Sequence, residues 1–311
     1  MFATLTLSPA IDCTLRVEGA LMPGDVHLVG SEIRTPGGKG INVAKMLAQN
    51  KCIVTAGGIL GRCEIDLYRS FLDGAGIGHH FLNVDHPTRE NIMVVDQAGA
   101  EMKFNRPGFP ELAFDWEVLR NYSVNLVEDA EVVIICGSLP VRFPDDTYAR
   151  LVKLFHETGK TVVLDASGPC LDPAVRERPE IIAPNRLEMA EIVGHTVEDE
   201  EAALSEMRRL AQNHLAVIMS DGAKGAYFAS GTEVFHTPAP AVRAVDTTGA
   251  GDALLGQFCA DFFGTAQRCL SKEVMARAVA AGATATEQHG TPAPDISRIE
   301  ELARSVQEMS S

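Results

Sequence analysis

One acidic residue lies directly behind a run of glycines in the last quarter of the chain. The segment from Asp246 to Ala253 reads DTTGAGDA, and the apolar stretch Leu254 to Phe263 after it predicts a helix. Glycines at a helix start let backbone N–H groups face an anion, which the helix dipole also favours. Asp252 beside such an anion could accept a proton from an attacking hydroxyl. The alternative is that Asp252 only caps the helix, as aspartate often does.

A second glycine cluster surrounds a lysine. TPGGKGINVAK, residues 35–45, places Lys39 and free amides at the start of another predicted helix, which indicates a second anion site. No Ser or Thr follows Lys39, so this is not a Walker loop, and the glycine spacing of DTTGAGDA does not fit a dinucleotide-binding loop. Arg89 in HPTREN offers a planar guanidinium suited to phosphate, although a lone arginine is more often a surface ion-pair partner.

Three further motifs follow predicted strands. Ser138 in CGSLP is not in a nucleophile elbow, and no Ser-His-Asp set is apparent. Asn185 and Glu188 in APNRLE lie three apart at a helix start, so they could support Mg²⁺ and its waters or form a capping box. MSDGAKGA, residues 219–226, is another glycine-rich turn after a strand. Together the motifs predict a phosphoryl-transfer cleft on an α/β sheet.

The elements that position these motifs fall into two groups. From about residue 130 onward, short β-branched runs alternate with helical patterns, which predicts a mainly parallel sheet with helices on both faces. The first hundred residues instead show short alternating strands around one helix, and they predict a small antiparallel flap. The expected strands are 4–7, 13–17, 26–33, 91–96, 132–135, 161–164, 181–182 and 216–219, and the expected helices are 42–49, 145–156, 186–193 and 199–214.

The composition and net charge disfavour several classes of binding partner. The 311 residues are 46% hydrophobic and carry a net charge of −15, which disfavours nucleic acid and anionic membranes as partners. Seven cysteines without a Cys-x-x-Cys pair fit a reduced, cytoplasmic protein, and the histidines lack zinc-ligand spacing. The uncharged run from Val132 to Val141 has ten residues, against the roughly 20 of a membrane helix. We therefore expect neither a signal peptide nor a membrane span.

The order of motifs resembles that of the PfkB (ribokinase-like) carbohydrate kinases. LSPAID, TPGGKGIN, TREN, GSLP, LDASG, PNRLE, SDGAKGA and DTTGAGD follow one another between Leu5 and Gly290, over nearly the whole chain. The resemblance implies one kinase domain, residues 1–311, with a ribokinase-like parallel sheet and lid strands within about 10–35 and 88–106. It also implies ATP, Mg²⁺ and, in some relatives, a monovalent cation near the Asp246 loop. A free lid edge makes a homodimer through the lid an expectation as well.

The resemblance also implies a role for each matched residue. Asp252 would be the general base, and the amides of Gly249, Ala250 and Gly251 would form the anion hole. The substrate would be bound by Asp12, Gly38, Lys39, Asn42, Arg89 and Ser138, with Lys39 and Arg89 holding its existing phosphate. The nucleotide would be bound by Asn185, Ser220, Gly222, Gly225 and Thr248, and Asn185 with Glu188 would organise Mg²⁺–ATP through water.

Within the family, Lys39 and the run KFNRPG, residues 103–108, are most similar to the 1-phosphofructokinase and tagatose-6-phosphate kinase branch. This implies phosphorylation of a phosphorylated ketohexose, with fructose 1-phosphate expected first and tagatose 6-phosphate or fructose 6-phosphate as alternatives. The chain departs from the branch at Ala183, where a lysine is usual, and at Asp221, which adds negative charge. Arg186 or Lys224 could replace the lysine. A non-catalytic sugar-phosphate or nucleotide sensor is the alternative of a different class.

Overall fold

The secondary structure alternates strands and helices along most of the chain. The computed structural model describes residues 1–197, 199–265 and 268–309. The strands are β1 (Phe2–Thr6), β2 (Ala10–Val17), β3 (Val29–Gly37), β4 (Val54–Gly61), β5 (Gly78–Val84), β6 (Arg89–Val95), β7 (Glu101–Asn105), β8 (Val132–Gly137), β9 (Thr161–Ala166), β10 (Ile181–Ile182), β11 (Ala216–Ser220), β12 (Ala226–Ser230) and β13 (Glu233–Thr237). The α-helices are α1 (Lys39–Gln49), α2 (Ile65–Gly74), α3 (Trp116–Leu126), α4 (Thr147–Glu157), α5 (Leu171–Arg176), α6 (Arg186–Val193), α7 (Glu200–Leu210), α8 (Ala250–Gly264), α9 (Lys272–Ala285) and α10 (Ile296–Met309).

The large sheet has nine strands in the order β13-β12-β11-β10-β9-β8-β1-β4-β5. From β11 to β5 all neighbours are parallel, whereas β12 and β13 add an antiparallel hairpin at one edge. Strands such as β8, with the sequence VVIICG, are buried along their whole length because helices cover both faces of the sheet. The predicted ribokinase-like class of fold, a mainly parallel sheet with helices on both faces, is confirmed.

The second sheet, which we call the lid sheet, has the order β3-β2-β6-β7. The β2/β3 and β6/β7 pairs are antiparallel, as expected, but the central pair β2/β6 is parallel. Its register runs from Ala10 opposite Arg89 to Arg16 opposite Val95. The direction differs because the chain passes through α1, β4, α2 and β5 before it returns, so β6 enters the lid sheet from the same end as β2.

Alternation along β8 shows how the core divides into two layers. Ile135 packs with Leu5 and Phe155 on one face of the large sheet, whereas Ile134 packs with Ile41 and Phe258 on the other. Cys136 at the end of this strand is fully buried, as expected for a small core residue. Among the described residues, no helix combines the length and apolarity needed to cross a lipid bilayer.

Candidate active site

A cavity of about 370 Å³ lies between the lid sheet and the carboxyl ends of the parallel strands. The large sheet contributes Asp165, near the end of β9, and Ser220, at the end of β11, and such strand ends are where α/β sheets bind ligands. The lid sheet contributes Asp12 on β2. The lining residues are Asp12, Gly38, Lys39, Asn42, Arg89, Asn91, Asp165, Ala183, Asn185, Glu188, Ile218, Ser220, Thr248, Gly249, Gly251, Asp252, Leu254 and Leu255.

The first turn of α8 presents Asp252 to this cavity. The N-cap residue is Gly249, whose φ of 78° lies in the left-handed region that glycine adopts readily. Asp252 is therefore not the helix cap, and its Oδ2 instead accepts a hydrogen bond of 2.8 Å from Asn42 Nδ2 on α1. Burial raises the pKa of Asp252, and the charges of Lys39 and Lys45 together with the Asn42 bond offset part of that rise. A buried carboxylate with raised basicity can accept a proton.

The loop before α8 is fixed by a second carboxylate. Asp246 accepts hydrogen bonds from Thr248 N (3.0 Å), Thr248 Oγ1 (2.7 Å) and Gly290 N (3.1 Å), and Lys103 Nζ on the lid strand β7 lies 3.1 Å from it. Of the three amides predicted to form an anion hole, that of Ala250 donates to Thr247 O over 3.3 Å. Gly249 and Gly251 line the cavity.

Asp12 and Arg89 from the lid sheet meet in the part of the cavity that we call the sugar end, after the substrate-binding roles expected of these two residues. Asp12 Oδ1 accepts a hydrogen bond from Asn91 Nδ2 (2.9 Å), and Asp12 Oδ2 accepts one from Thr291 Oγ1 (3.4 Å). Burial raises the pKa of Asp12, although the Asn91 bond and Lys45 counteract it. Arg89 donates from Nε and Nη2 to Ser8 O, both at 3.3 Å, and its Nη1 contacts Asn91 Oδ1 at 3.4 Å.

A lysine lies among carboxylates in the part of the cavity that contains Asn185 and Glu188, which we call the nucleotide end after the role expected of those two residues. Lys39 Nζ lies 2.8 Å from Asp165 Oδ1 and 3.6 Å from Glu188 Oε1. Burial and the charge of Asp252 together raise the pKa of Asp165 to about 7, although Lys39 acts to lower it. Burial acts to lower the pKa of Lys39, but Asp165 and Glu188 raise it well above its usual value. One cation is thus shared by several acidic groups.

Asn185 and Glu188 form a capping box at the start of α6. Asn185 Oδ1 accepts from the N–H groups of Leu187 and Glu188, both at 2.9 Å, and Glu188 Oε2 accepts from Asn185 N at 2.9 Å. Asn185 also bridges to Ser220, so two predicted nucleotide-binding motifs are neighbours. The capping alternative is therefore present in the structure, and both side chains still line the cavity.

The oxygen donors at this end are compatible with magnesium. Asp165 and Glu188 supply carboxylates, whereas the amide oxygen of Asn185 already accepts two hydrogen bonds at the start of α6. Mg²⁺ prefers such ligands and usually keeps several waters while it binds substrate phosphates. Within the described residues, no group of three or more His, Cys, Asp and Glu side chains forms a metal cage. The two carboxylates at this end fit a magnesium ion that keeps several of its waters.

The structure accounts for the charge of Asp221, one of the two departures noted above. The Arg186 guanidinium donates to both oxygens of Asp221 (2.9 and 2.6 Å) and to Val197 O (2.9 Å). This hydrogen bonding lowers the pKa of Asp221 and balances its charge. Arg186 is therefore engaged and does not stand in for the usual lysine beside Ala183, while Lys224 is exposed and lies outside the cavity lining.

Four predicted site residues also lie outside that lining: Ser138, Gly222, Gly225 and Ala250. The Ser138 carbonyl accepts a hydrogen bond from Tyr148 Oη (3.4 Å) in the loop after β8. Gly225 has a φ of 100°, and a Cβ there would collide with the Thr237 carbonyl, so only glycine allows this approach of two strands.

The sequence analysis missed two polar residues that line the cavity, Asn91 and Asp165, and two that contact its polar side chains, Lys45 and Thr291. Asn91 lies two positions after Arg89, on the same face of β6, and this spacing was the available signal. Asp165 stands in the quoted LDASG motif, just where a parallel strand ends, and that position was a second signal. No local pattern distinguishes Thr291, which lies 279 residues from its partner Asp12.

Comparison with known proteins assigns the family. The model of the pfkB family carbohydrate kinases matches residues 5–297. The 1-phosphofructokinase of Vibrio cholerae serotype O1 is 30% identical over 308 residues, which cover 98% of this chain and 95% of that protein.

Solved structures agree with this fold. Phosphofructokinase-2 from Escherichia coli, in complex with substrates and products, superposes with a TM-score of 0.89 at 23% identity and covers 98% of this chain and 99% of its own. The same protein is known in complex with potassium and in a tetrameric inhibited form. Ribokinase from Thermotoga maritima gives a TM-score of 0.71 at 23% identity, with coverage of 98% of this chain and 99% of its own.

Proposed function

The chain belongs to the pfkB family of carbohydrate kinases, and from that premise we propose that it phosphorylates fructose 1-phosphate to fructose 1,6-bisphosphate. It is an ATP-dependent sugar kinase. The observation that carries the proposal is the position of Asp252, buried at the glycine start of α8 and sharing one cavity with Arg89. A base beside an anion site suits transfer of a phosphoryl group to a hydroxyl. The separate guanidinium suits a substrate that already bears one phosphate.

Proton transfer falls to Asp252. Asn42 donates to its Oδ2, so Oδ1 is left to accept the proton of the sugar hydroxyl. The hydroxyl oxygen then bonds to the γ-phosphorus of ATP while the bond from that phosphorus to the β,γ-bridging oxygen breaks, giving the sugar bisphosphate and ADP. The amides of Gly249 and Gly251 would stabilise the transferring group, and that of Ala250 would join them by giving up its bond to Thr247 O.

Substrate recognition is assigned to the sugar end. Asp12 and Asn42 would bind hydroxyls of the sugar, Gly38 would allow its close approach, and Arg89 would hold its existing phosphate. Ser138 would help only if the loop after β8 turns toward the cavity. The contacts of Lys39 with Asp165 and Glu188 favour a place beside the transferring phosphoryl, so we assign the existing phosphate to Arg89 first.

Nucleotide binding is assigned to the other end. Thr248 and Ser220 would contact ATP directly from the cavity wall, and Gly222 and Gly225 would shape the turn beside it. Magnesium, when bound with ATP, neutralises phosphate charge. Glu188 would hold it through water, and Asp165 is placed to do the same. Asn185, whose amide oxygen caps α6, would position Glu188 through the capping box.

The proposal includes no monovalent-cation requirement. Asp246, near which a monovalent cation would bind, already has Lys103 as a counter-charge.

A homodimer is supported by an apolar stripe that the strand register brings together on one face of the lid sheet. It consists of Leu15, Ile92, Val94, Met102 and Phe104, the last two 40% and 55% exposed. Sedimentation velocity of wild type and Phe104→Glu measures whether this stripe joins two chains.

The experiment that tests the function is ADP release with Mg²⁺–ATP across a substrate panel. The panel contains fructose 1-phosphate, fructose 6-phosphate, tagatose 6-phosphate, fructose, ribose and adenosine. Turnover highest with fructose 1-phosphate supports the proposal, and preference for either other sugar phosphate redirects it within the class. Turnover with only unphosphorylated compounds contradicts the role of Arg89. Ligand-induced thermal stabilisation without turnover on any compound indicates a sensor instead.

A further inference from the structure

Lys45 is a buried lysine in α1 to which no carboxylate of the described residues is hydrogen-bonded. Lys45 is 5% exposed, and its Nζ donates to Pro36 O (3.2 Å), Asn42 Oδ1 (3.1 Å), Thr291 O (3.1 Å) and Thr291 Oγ1 (3.4 Å). The ammonium also lies 4.9 Å from the centre of the Phe71 ring. Burying a charge among neutral oxygens is costly, so a packing role alone gives no reason for a lysine here.

The first contact fixes the side-chain amide of Asn42. A lysine ammonium can only donate, so the atom of Asn42 that faces it is the oxygen. The NH₂ group must then point away, and it donates to Asp252 Oδ2 at 2.8 Å. The flipped amide would set NH₂ against the ammonium and oxygen against the carboxylate, two repulsive contacts at once.

The second contact acts in the same way on Thr291. Its hydroxyl oxygen accepts from Lys45, which directs the hydroxyl proton toward Asp12 Oδ2 at 3.4 Å. The two carboxylates of the sugar end, Asp12 and Asp252, are therefore each contacted by a neutral side chain whose donor is oriented by the same ammonium.

We propose that Lys45 is a positioning residue that orients Asn42 toward Asp252 and Thr291 toward Asp12, and so aligns the proton acceptor with the sugar site. The inference rests on the proposed function, because it uses the roles assigned there to both carboxylates. We call these two sets of contacts arms. The arm through Asn42 serves proton transfer by Asp252, and the arm through Thr291 serves sugar binding by Asp12.

The positive charge of Lys45 supplies a readout that packing alone would not move. It lowers the pKa of Asp252, as do Lys39 and the Asn42 bond, whereas burial, Asp12 and the nearby Asp165 carboxylate act in the opposite direction. Burial lowers the pKa of Lys45 itself to about 8, so the ammonium is charged at neutral pH. Loss of this charge should move the acid limb of the pH–rate profile to higher pH.

The test compares Lys45→Met, Lys45→Arg and Thr291→Val with wild type, using fructose 1-phosphate and Mg²⁺–ATP over pH 5 to 9. Lys153→Met, on the exposed face of α4, is the matched control. We expect Lys45→Met to lower kcat about tenfold or more, to raise KM for the sugar and to shift the acid limb upward, with KM for ATP changed less than about twofold. Lys45→Arg keeps the charge and donors, so it should restore the position of the acid limb.

Thr291→Val separates the two arms. It removes only the hydroxyl, so it should raise KM for the sugar while the acid limb stays in place. If Lys45→Met does not fold by circular dichroism, the other two variants still test the inference. A displaced acid limb in Lys45→Arg, or an unchanged KM for the sugar in Thr291→Val, would contradict it.

Two results overturn the inference. The first is a folded Lys45→Met protein with the kcat, KM and acid limb of Lys153→Met. The second is a loss of thermal stability without movement of the acid limb, which would mean that Lys45 only supports the fold. Inactivity of wild type on the whole panel is a different failure: it removes the proposed function, and this inference with it.

Discussion

The two ends of the cavity hold buried acids by different means. At the sugar end, Asp12 and Asp252 accept hydrogen bonds from the neutral amides of Asn91 and Asn42. At the nucleotide end, Asp165 is paired with the ammonium of Lys39. A neutral donor leaves the carboxylate charged and able to accept a further hydroxyl, whereas a paired cation must be shared with any incoming anion. Aspartates with amide partners are thus suited to bind a hydroxyl, whereas the aspartate paired with an ammonium is suited to a site for phosphate.

The sharpest test of the sugar end is Asp252→Asn. The variant keeps the shape of the side chain but removes the proton acceptor, so kcat should fall by about 10²–10⁴-fold. Steady-state kinetics measures this, with circular dichroism to verify the fold. Asp66→Asn, at a side chain that is 96% exposed, is the control and should match wild type. Near-normal turnover in Asp252→Asn would remove this residue from proton transfer.

Arg89→Ala tests the binding role at the same end. Loss of charge-assisted hydrogen bonds to a phosphate should raise KM for fructose 1-phosphate by about 10- to 100-fold and leave KM for ATP nearly unchanged. Initial rates with each substrate varied in turn separate the two constants. Arg304→Ala, exposed on α10, is the control. Equal effects on both KM values would contradict the assignment of Arg89 to the sugar phosphate.

Lys39→Met tests the nucleotide end. Because Lys39 lies between Asp165 and Glu188, its loss should lower kcat by about tenfold and raise KM for the sugar less than Arg89→Ala does. The same kinetic series measures both, with Lys153→Met as control. A rise in the sugar KM equal to that of Arg89→Ala, at unchanged kcat, would instead return Lys39 to a shared phosphate clamp.

Lys103→Met should have the smallest effect. Lys103 is the counter-charge of Asp246, so wild-type rates should change less than about twofold when tetramethylammonium replaces K⁺. Without this ammonium the loop before α8 should become sensitive to the cation, with rates about threefold higher in K⁺ than in tetramethylammonium. Rates compared at constant ionic strength give the result. A strong K⁺ requirement in wild type would show that Lys103 does not fill this role.

Local patterns predicted much of the fold and part of the site. Hydrophobic runs predicted β8 and β9, and the spacing of Asn185 and Glu188 gave the capping box as one of two alternatives, because such features depend on neighbours in sequence. The Arg186–Asp221 pair joins residues 35 apart, and the Lys39–Asp165 pair joins residues 126 apart. Those pairings depend on which strands become neighbours, and one sequence does not specify that.

The burial of Lys45 could not be predicted from its local sequence either. A lysine in an amphipathic helix is typically exposed, and the acceptors that make its burial tolerable come from β3 and from the segment before α10. The helix itself could be predicted, but the surroundings of this side chain could not.

The parallel pairing of β2 with β6 has a consequence for the order of folding. The two strands are separated by α1, β4, α2 and β5, so the β2/β3 hairpin leaves the ribosome long before its central partner exists. Contacts between distant segments form slowly, because the intervening chain must be ordered first. We expect the β2/β6 amides to gain protection from hydrogen exchange after those of β1 and β4 during refolding. The β1/β4 part of the large sheet would then form before the sugar end, which needs Asp12 and Asn91 side by side.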